Sequence, residues 1–372
     1  MKVILPSASL KTALTTLTTA TGPGNPNVPE ESALVIDITE DQRATLSAVS
    51  KGHLVTATYT GKLTGAAPGH LAVPREAFTK MVDVLTGDNV EIEVAAGRAK
   101  VRSGTASFTL ATLADVTAPP APEKESLTLL ATVSGADLTR VLGQLRTAAP
   151  SDAVHSAIRI TRADAANLRL VTTDGYRMVS CLVPTTGDAD PFTRLLLPFR
   201  TIAQGLMYLA SRHDSVEMLG DGRSVVFRAG HTVMRVREIE VSFPDVEELE
   251  TKWNFEQGVV FDRTRLIDVI DRVATASDAL RVVPRLVVNV QADRLDLRLM
   301  DPENKESVAS DLCPAAGTVP EGTTFAVNSA FLRAALAAGK GSTAKIEYLG
   351  DLKPLRISAE HDGYYAIVQP MR

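Results

Sequence analysis

The stretch SGADLTRVLGQLRTAA, residues 134–149, decides the fold because it recurs. Leu138, Val141, Leu142 and Leu145 stand at i, i+3, i+4 and i+7, the apolar stripe of one helix face. Ser134 is placed to cap the first turn by accepting an otherwise orphan amide. Residues 7–21 and 262–276 carry the same kind of stripe, each after a short apolar run. The first apolar anchors are Leu10, Leu138 and Leu266, and both spacings are 128 residues. Two equal spacings in one chain predict an internal triplication.

Outward from these helices the rest of each copy follows. A second helix is expected from VPREAFTKMVDVL at Val73, LPFRTIAQGLMYL at Leu197 and VNSAFLRAALAA at Val327. Pro74, Pro198 and Asn328 suit a helix start: proline lacks an N–H that would be orphaned there, and asparagine caps. Phe78, Ile202 and Leu332 supply the first apolar contact of each. Residues 32–59, 156–184 and 285–313 alternate apolar and polar residues with a polar break, as paired strands do. Hairpin-like runs close the copies from Gly97, Gly222 and Leu352, and SKGHLV (50–55) aligns with TDGYRM (173–178). The expected fold class is α+β: three repeated domains, each with two helices and about eight antiparallel strands. Their expected bounds are 1–118, 126–246 and 255–372. The Pro-rich stretch 114–126 and the acidic stretch 243–258 read as linkers, having few apolar residues to hold them in a core.

Composition excludes several classes. The 372 residues are 45% hydrophobic and 22% charged, as in an ordinary globular protein. No apolar run approaches the roughly 20 residues of a membrane helix, and MKVILPSASL is broken at Pro6, too short for a secretory core. Cys181 and Cys313 lack metal or disulfide spacing, so a reducing cytoplasm is the expected location. His53, His70, His155, His213, His231 and His361 are scattered without HxxxH or HExxH spacing. AGKGST (338–343) lacks the phosphate-loop pattern, and Gly339 reads as a helix C-cap. Asp174 in TDGY, like Asp301 and Glu303 in DPEN, reads as a turn carboxylate. No catalytic residue, metal or cofactor is expected.

Charge distribution points elsewhere. The chain has 39 Lys and Arg against 44 Asp and Glu, a net −5 that argues against nucleic acid only if charge is uniform. The six repeated helices sum to +6, leaving −11 for everything else. Lys11, Arg75, Lys80, Arg140, Arg146, Arg200, Arg212 and Arg333 are the candidate cations of one basic helix surface. With one Trp, six Tyr and ten Phe, stacking platforms for single strands are not expected. Backbone contact with duplex DNA, independent of sequence, fits better.

TDGYRM (173–178), SFPDVEEL (242–249) and YYAIVQPMR (364–372) resemble, in order and spacing, three signatures of the bacterial DNA polymerase III β subunit, the sliding clamp family. The resemblance implies a head-to-tail homodimeric ring of six similar domains, helices lining the hole and sheets outside. Double-stranded DNA, the replicative polymerase and clamp-loader subunits are the implied partners, with no membrane and no chemistry of its own. It further implies a pocket for short peptide motifs. Its positions map to Val154, Thr173, Gly175, Tyr176, Arg177, Met178, Pro244, Leu249, Phe331, Leu352 and Pro354. Ile367, Gln369, Pro370, Met371 and Arg372 complete it. In that mapping Met178, Leu249, Ile367 and Met371 form an adaptable apolar floor, while Arg177 and Arg372 pair with acidic or carbonyl groups of the peptide. The opposing expectation is that these apolar residues only pack the second domain on the third. Phe108, Leu110, Thr275 and Ala276 map to the ring-closing interface.

Tyr176 stands where the family commonly has His, and Gln369 where it has Met, putting an amide into an apolar groove. The stretch 22–31 lacks the basic residue that the family usually presents to DNA. These departures make a specialised second clamp, phage-encoded or inhibitor-resistant, the alternative. A repeat-built α+β transferase or a protein-binding adaptor are readings from other classes.

Overall fold

The structure is a computed structural model. It describes residues 2–22, 24–50, 55–62, 68–118, 127–149, 156–187, 192–280, 284–300, 306–360 and 363–371, with 55–62 and 277–280 described as backbone. His53, Val154, His155, Asp301, Glu303, His361 and Arg372 lie outside the described residues.

Eight helices are found among the described residues: α1 (Ser7–Thr21), α2 (Pro29–Ser32), α3 (Arg75–Asp83), α4 (Gly135–Leu145), α5 (Phe199–Ala210), α6 (Val246–Lys252), α7 (Arg263–Leu280) and α8 (Ser329–Ala338). The strands of the first third are β1 (Lys2–Pro6), β2 (Ala33–Ile38), β3 (Arg43–Ser50), β4 (Val55–Lys62), β5 (Gly69–Pro74), β6 (Asn89–Ala95), β7 (Arg98–Ser103) and β8 (Ala106–Ala111). Those of the middle third are β9 (Thr128–Ser134), β10 (Ala157–Arg162), β11 (Asn167–Thr173), β12 (Arg177–Thr186), β13 (Leu195–Pro198), β14 (Ser215–Gly220), β15 (Ser224–Ala229) and β16 (Thr232–Arg237). The last third holds β17 (Gln257–Asp262), β18 (Arg285–Val290), β19 (Arg294–Met300), β20 (Ser307–Gly317), β21 (Thr324–Asn328), β22 (Thr343–Tyr348), β23 (Leu355–Ala359) and β24 (Tyr364–Val368).

The repeating unit is smaller than 128 residues. Leaving aside the short α2 and α6, the order strand–helix–strand–strand–strand occurs six times, twice in each third. All six long helices therefore follow a strand and precede an antiparallel meander. The anchors Leu10, Leu138, Leu266, Phe78, Ile202 and Leu332 are all buried, as a core-facing stripe requires. Start signals act as expected. Ser134 Oγ accepts from Asp137 N at 3.3 Å, and Asn328 Oδ1 accepts from Ala330 N at 2.9 Å and Phe331 N at 3.3 Å. Pro74 and Pro198 occupy the N-cap positions of α3 and α5.

Both stretches expected to be plain linkers hold core residues. Val116 is buried with Ala33, Val35 and Ala72, and Leu113 packs against that cluster. The acidic stretch contains α6. Asp245 caps it by accepting from Glu248 N at 3.0 Å, and Val246 is buried with Val171, Met178 and Ile367. Glu247 pairs with Arg159 at 2.6 Å and Glu250 with Arg169 at 2.5 Å, while Glu248 and Lys252 pair with each other in solvent.

Two compact units result, residues 1–139 with 184–240, and 140–183 with 241–372. Neither coincides with one expected domain, because strand pairing crosses from copy to copy. In the first unit β4 pairs antiparallel with β16, Val55 opposite Val236 through Tyr59 opposite Thr232. In the second β12 pairs antiparallel with β24, Arg177 opposite Val368 through Cys181 opposite Tyr364.

Candidate functional sites

The second unit brings TDGYRM and the C-terminal strand together. In the turn between β11 and β12, Asp174 Oδ1 accepts from Tyr176 N at 3.0 Å and Arg177 N at 2.7 Å. Thr173 Oγ1 donates to Arg177 O at 2.7 Å and accepts from Gly175 N at 3.1 Å. Gly175 sits at φ +85°, a left-handed conformation that glycine adopts without a Cβ penalty. Asp174 Oδ2 accepts from Arg177 Nε at 2.9 Å and Nη2 at 2.7 Å, while the guanidinium carbon lies 4.0 Å from the Phe331 ring centroid. Beyond β24 the chain stays attached: Gln369 N donates to Tyr176 O at 2.9 Å, and Met371 N donates to Ala326 O at 2.8 Å.

Thr173, Gly175, Tyr176, Arg177, Phe331, Gln369 and Met371 are thus linked by one chain of contacts. Tyr176 is 68% exposed and Leu352 60% exposed, so both large side chains stand in solvent. Leu249, Pro370 and Met371 are half-buried and Pro244 is exposed, whereas Pro354 is buried beside Leu355. Three expectations need correction. Met178 and Ile367 are 5% and 3% exposed, registered opposite one another under Val246, so they are core beneath the site and not its open floor. Gln369 is exposed, so its amide meets water and carries no burial cost. Arg177 is already paired by Asp174, which the sequence presented as an ordinary turn residue.

The expected DNA-facing cations also separate. Arg75 is 3% exposed; it donates to Thr21 Oγ1 and to Gly22 O at 2.9 Å, so it fixes the chain after α1 and is not a surface cation. Burial pushes its guanidinium below the usual arginine range, only partly offset by the Glu31 charge. Lys11 Nζ donates to Asp83 O at 3.0 Å and Leu85 O at 2.7 Å, closing the end of α3. Lys80 pairs with Glu76 at 2.6 Å, and Arg333 grips Asp271 through Nε at 2.5 Å and Nη2 at 2.9 Å. Arg140, half-buried, donates to Gln144 Oε1 at 3.1 Å. Arg146, Arg200 and Arg212 are exposed, and Arg212 lies 4.4 Å from the Tyr208 ring centroid, which leaves its charge intact.

Of the ring-closing candidates, Phe108 is half-buried and Leu110 buried on β8, while Thr275 is exposed and Ala276 half-buried on α7. β8 ends a four-stranded sheet ordered β1-β6-β7-β8.

Among the described residues no three His, Cys, Asp or Glu are grouped to hold a metal ion. Both cysteines are buried, and burial pushes the Cys313 thiol up to about 11, away from a reactive thiolate. Among the described residues no helix is long and apolar enough to cross a membrane.

No family model matches the chain. In sequence it is 23% identical over 224 residues to the beta sliding clamp of Lactococcus lactis, covering 59% of this chain and 57% of that protein. It is 23% identical over 245 residues to the beta sliding clamp of Pseudomonas putida, covering 65% and 66%. The match thus spans under two thirds of those relatives' length. In structure the similarity covers the whole chain. Caulobacter crescentus pol III beta superposes with a TM-score of 0.87 at 20% identity, each chain covered completely. The DNA polymerase III subunit beta of Pseudomonas aeruginosa gives 0.85 at 19%, again complete. The resemblance seen in three short motifs is borne out: the sequence relatives are sliding clamps, and the chain has the sliding-clamp fold, α+β with antiparallel sheets.

Proposed function

We propose that the chain is a divergent sliding clamp, a non-catalytic protein that closes with a second copy into a ring around duplex DNA and tethers a polymerase. The reading rests first on strand arithmetic. β4 and β8 close the two half-units of the first copy, β12 and β16 those of the second, and β20 and β24 those of the third. β4 is paired to β16 and β12 to β24, the closing strands of successive copies. Among the described residues the remaining two, β20 and β8, have no such partner: Ser307–Pro314 pair with β19 and β8 pairs with β7. An exposed strand edge is a template for further pairing. Continuing the same junction between chains joins β20 of one molecule to β8 of another, which is head-to-tail, and a head-to-tail contact that closes gives a ring. The register repeated from the two internal junctions sets Leu110 opposite Ser307 and Ala106 opposite Asp311. Leu312, 46% exposed on β20, gains cover in that arrangement.

The three clamp domains are then residues 1–118, 126–246 and 255–372, and the peptide site built on Thr173–Arg177, Phe331 and 369–371 receives polymerase or loader tails. Arg200 on α5, together with Arg146 just past the end of α4 and Arg212 just past the end of α5, holds phosphates by screened, sequence-independent attraction. Topological retention needs nothing stronger. Nothing favours the specialised second clamp over this reading: the exposed Gln369 leaves the site without the polar burial that motivated it. Sedimentation equilibrium at low protein concentration tests the closure: a dimer supports it, and a stable monomer removes the ring.

A further inference from the structure

We propose that Asp174 is the specificity-determining residue of the peptide site, because it neutralises Arg177 and so sets the site to take an uncharged peptide segment. The inference rests on the docking reading above and adds to it the chemistry of the occupant. The resemblance assigned Arg177 to an acidic or carbonyl group of the ligand, whereas the geometry assigns its donors to the protein itself.

The Asp174 carboxylate accepts four N–H groups. Oδ1 takes the backbone amides of Tyr176 and Arg177, at 3.0 and 2.7 Å, which fixes the turn. Oδ2 takes Nε and Nη2 of Arg177, at 2.9 and 2.7 Å, which fixes the guanidinium. Only 14% of the Asp174 side chain and 20% of the Arg177 side chain meet solvent, so water screens this pair little. The Phe331 ring closes over one face of the guanidinium at 4.0 Å, where its quadrupole favours the cation. An arginine so held is worth little to a ligand carboxylate. Its best fork of donors is taken, its charge is compensated within hydrogen-bond distance, and recruiting it would break a charge-assisted bond to make one. What it still offers a ligand is a flat, positioned surface continuous with Phe331. Tyr176, next in sequence on the same turn and 68% exposed, offers the ligand a second aromatic ring. The platform suits apolar and amide-bearing side chains, and Asp174 acts on it as a positioning residue.

Asp174→Asn separates the two jobs of the carboxylate. The amide oxygen still accepts the backbone amides of the turn, but its NH2 cannot accept from Arg177. The probes are versions of one fluorescein-labelled peptide from the tail of the replicative polymerase, each position in turn carrying Gln or Glu, titrated by anisotropy. For the wild-type protein the Gln and Glu versions are expected to bind within about threefold of each other at every position, at 50 mM and 500 mM NaCl alike. For Asp174→Asn at least one position is expected to favour Glu about tenfold at 50 mM NaCl, about 1.4 kcal/mol. That preference disappears at 500 mM NaCl and in the double variant Asp174→Asn, Arg177→Gln. A salt-sensitive preference of the wild-type protein for Glu overturns the proposal, and it does so even if the variant fails to fold. Unchanged ratios in a folded Asp174→Asn protein overturn it as well. If the wild-type protein binds no version of the peptide, the docking reading fails first and takes this proposal with it, an outcome distinct from unequal binding.

Discussion

Gly205 of α5 lies directly against Ala20 of α1, so close that a Cβ placed on it would overlap the Ala20 Cα and stand 3.1 Å from the Ala20 Cβ. The two helices belong to different copies of the repeat, yet they pack with backbone near backbone, which only a residue without a side chain permits. Ala20 and the flanking Ile202, Leu206 and Leu209 are all buried. Gly205→Val is therefore expected to destabilise the first unit by about 3 kcal/mol or more, since backbone must move to admit it. Urea denaturation with a midpoint equal to that of the parent protein would contradict the helix contact.

Arg75, which opens α3, and Arg212, just past the end of the equivalent helix α5, carry the same charge and are expected to behave oppositely. Arg75→Ala removes a buried cation whose charge faces Glu31 and whose hydrogen bonds hold Thr21 and Gly22. Its cost is expected at about 3 kcal/mol of stability, the range for leaving a buried charge uncompensated. Arg212→Ala is expected to leave stability unchanged and to lower the slope of log K for DNA against log salt by about 1. Fluorescence anisotropy on duplex DNA between 50 and 200 mM NaCl, with thermal melts alongside, checks both.

His70 makes one segment pH-sensitive. Its Nδ1 is 2.6 Å from Asp37 Oδ1 and its Nε2 is 2.9 Å from the Val116 carbonyl. Both neighbours accept hydrogen bonds, so both ring nitrogens must donate, which the protonated ring alone can do. Partial burial pushes the pKa down, but the Asp37 hydrogen bond, the Val116 carbonyl and the Asp37 charge together raise it above its ordinary 6.5. A raised pKa in the folded state means stabilisation that is complete below about 6.5 and is lost as pH rises through the folded-state value. Hydrogen exchange at Leu113, whose N donates to Ala72 O at 2.8 Å, is expected to quicken across that window beyond its intrinsic pH dependence. His70→Gln is expected to abolish the extra step. A segment protected equally at pH 5.5 and 8.5, after correction for intrinsic exchange, would contradict it.

Phe108→Asp places a charge on the open edge strand β8, beside Leu110. Edge charges block strand addition at little cost to the monomer. The variant is expected to sediment as a folded monomer with a melting temperature within about 2 °C of the parent at monomeric concentration. A dimer of undiminished affinity would move the interface away from β8.

Much of the architecture is legible in the sequence because burial imposes period and punctuation together. Leu10, Leu138 and Leu266 repeat at 128 residues and are all buried, and Ser134, Pro198 and Asn328 start helices where their chemistry says they should. The inner twofold repeat is not legible, because the two helix starts of each copy use different residues: Ser7, Gly135 and Arg263 against Arg75, Phe199 and Ser329. α6 is hidden by its own composition. Four charged residues among Val246–Lys252 read as solvent-exposed coil, although two of the carboxylates meet Arg159 and Arg169 and one valine reaches the core. Charge counting fails for a related reason. It assigns Arg75 and Arg146 equal weight, and only tertiary contact reveals that one is buried against the Thr21 hydroxyl and the Gly22 carbonyl and the other exposed. TDGYRM and YYAIVQPMR lie on paired strands, but that Asp174 occupies Arg177 is a matter of side-chain geometry that spacing does not encode.

The central claim is topological, and topology has its own assay. The protein is loaded with its clamp loader onto nicked circular duplex, gel-filtered to remove free protein, and the DNA is then cut once with a restriction enzyme. The account predicts retention of the protein on the circle at 200 mM NaCl and its loss within minutes of linearisation. Equal retention on circular and linear DNA, or none on either, would contradict it.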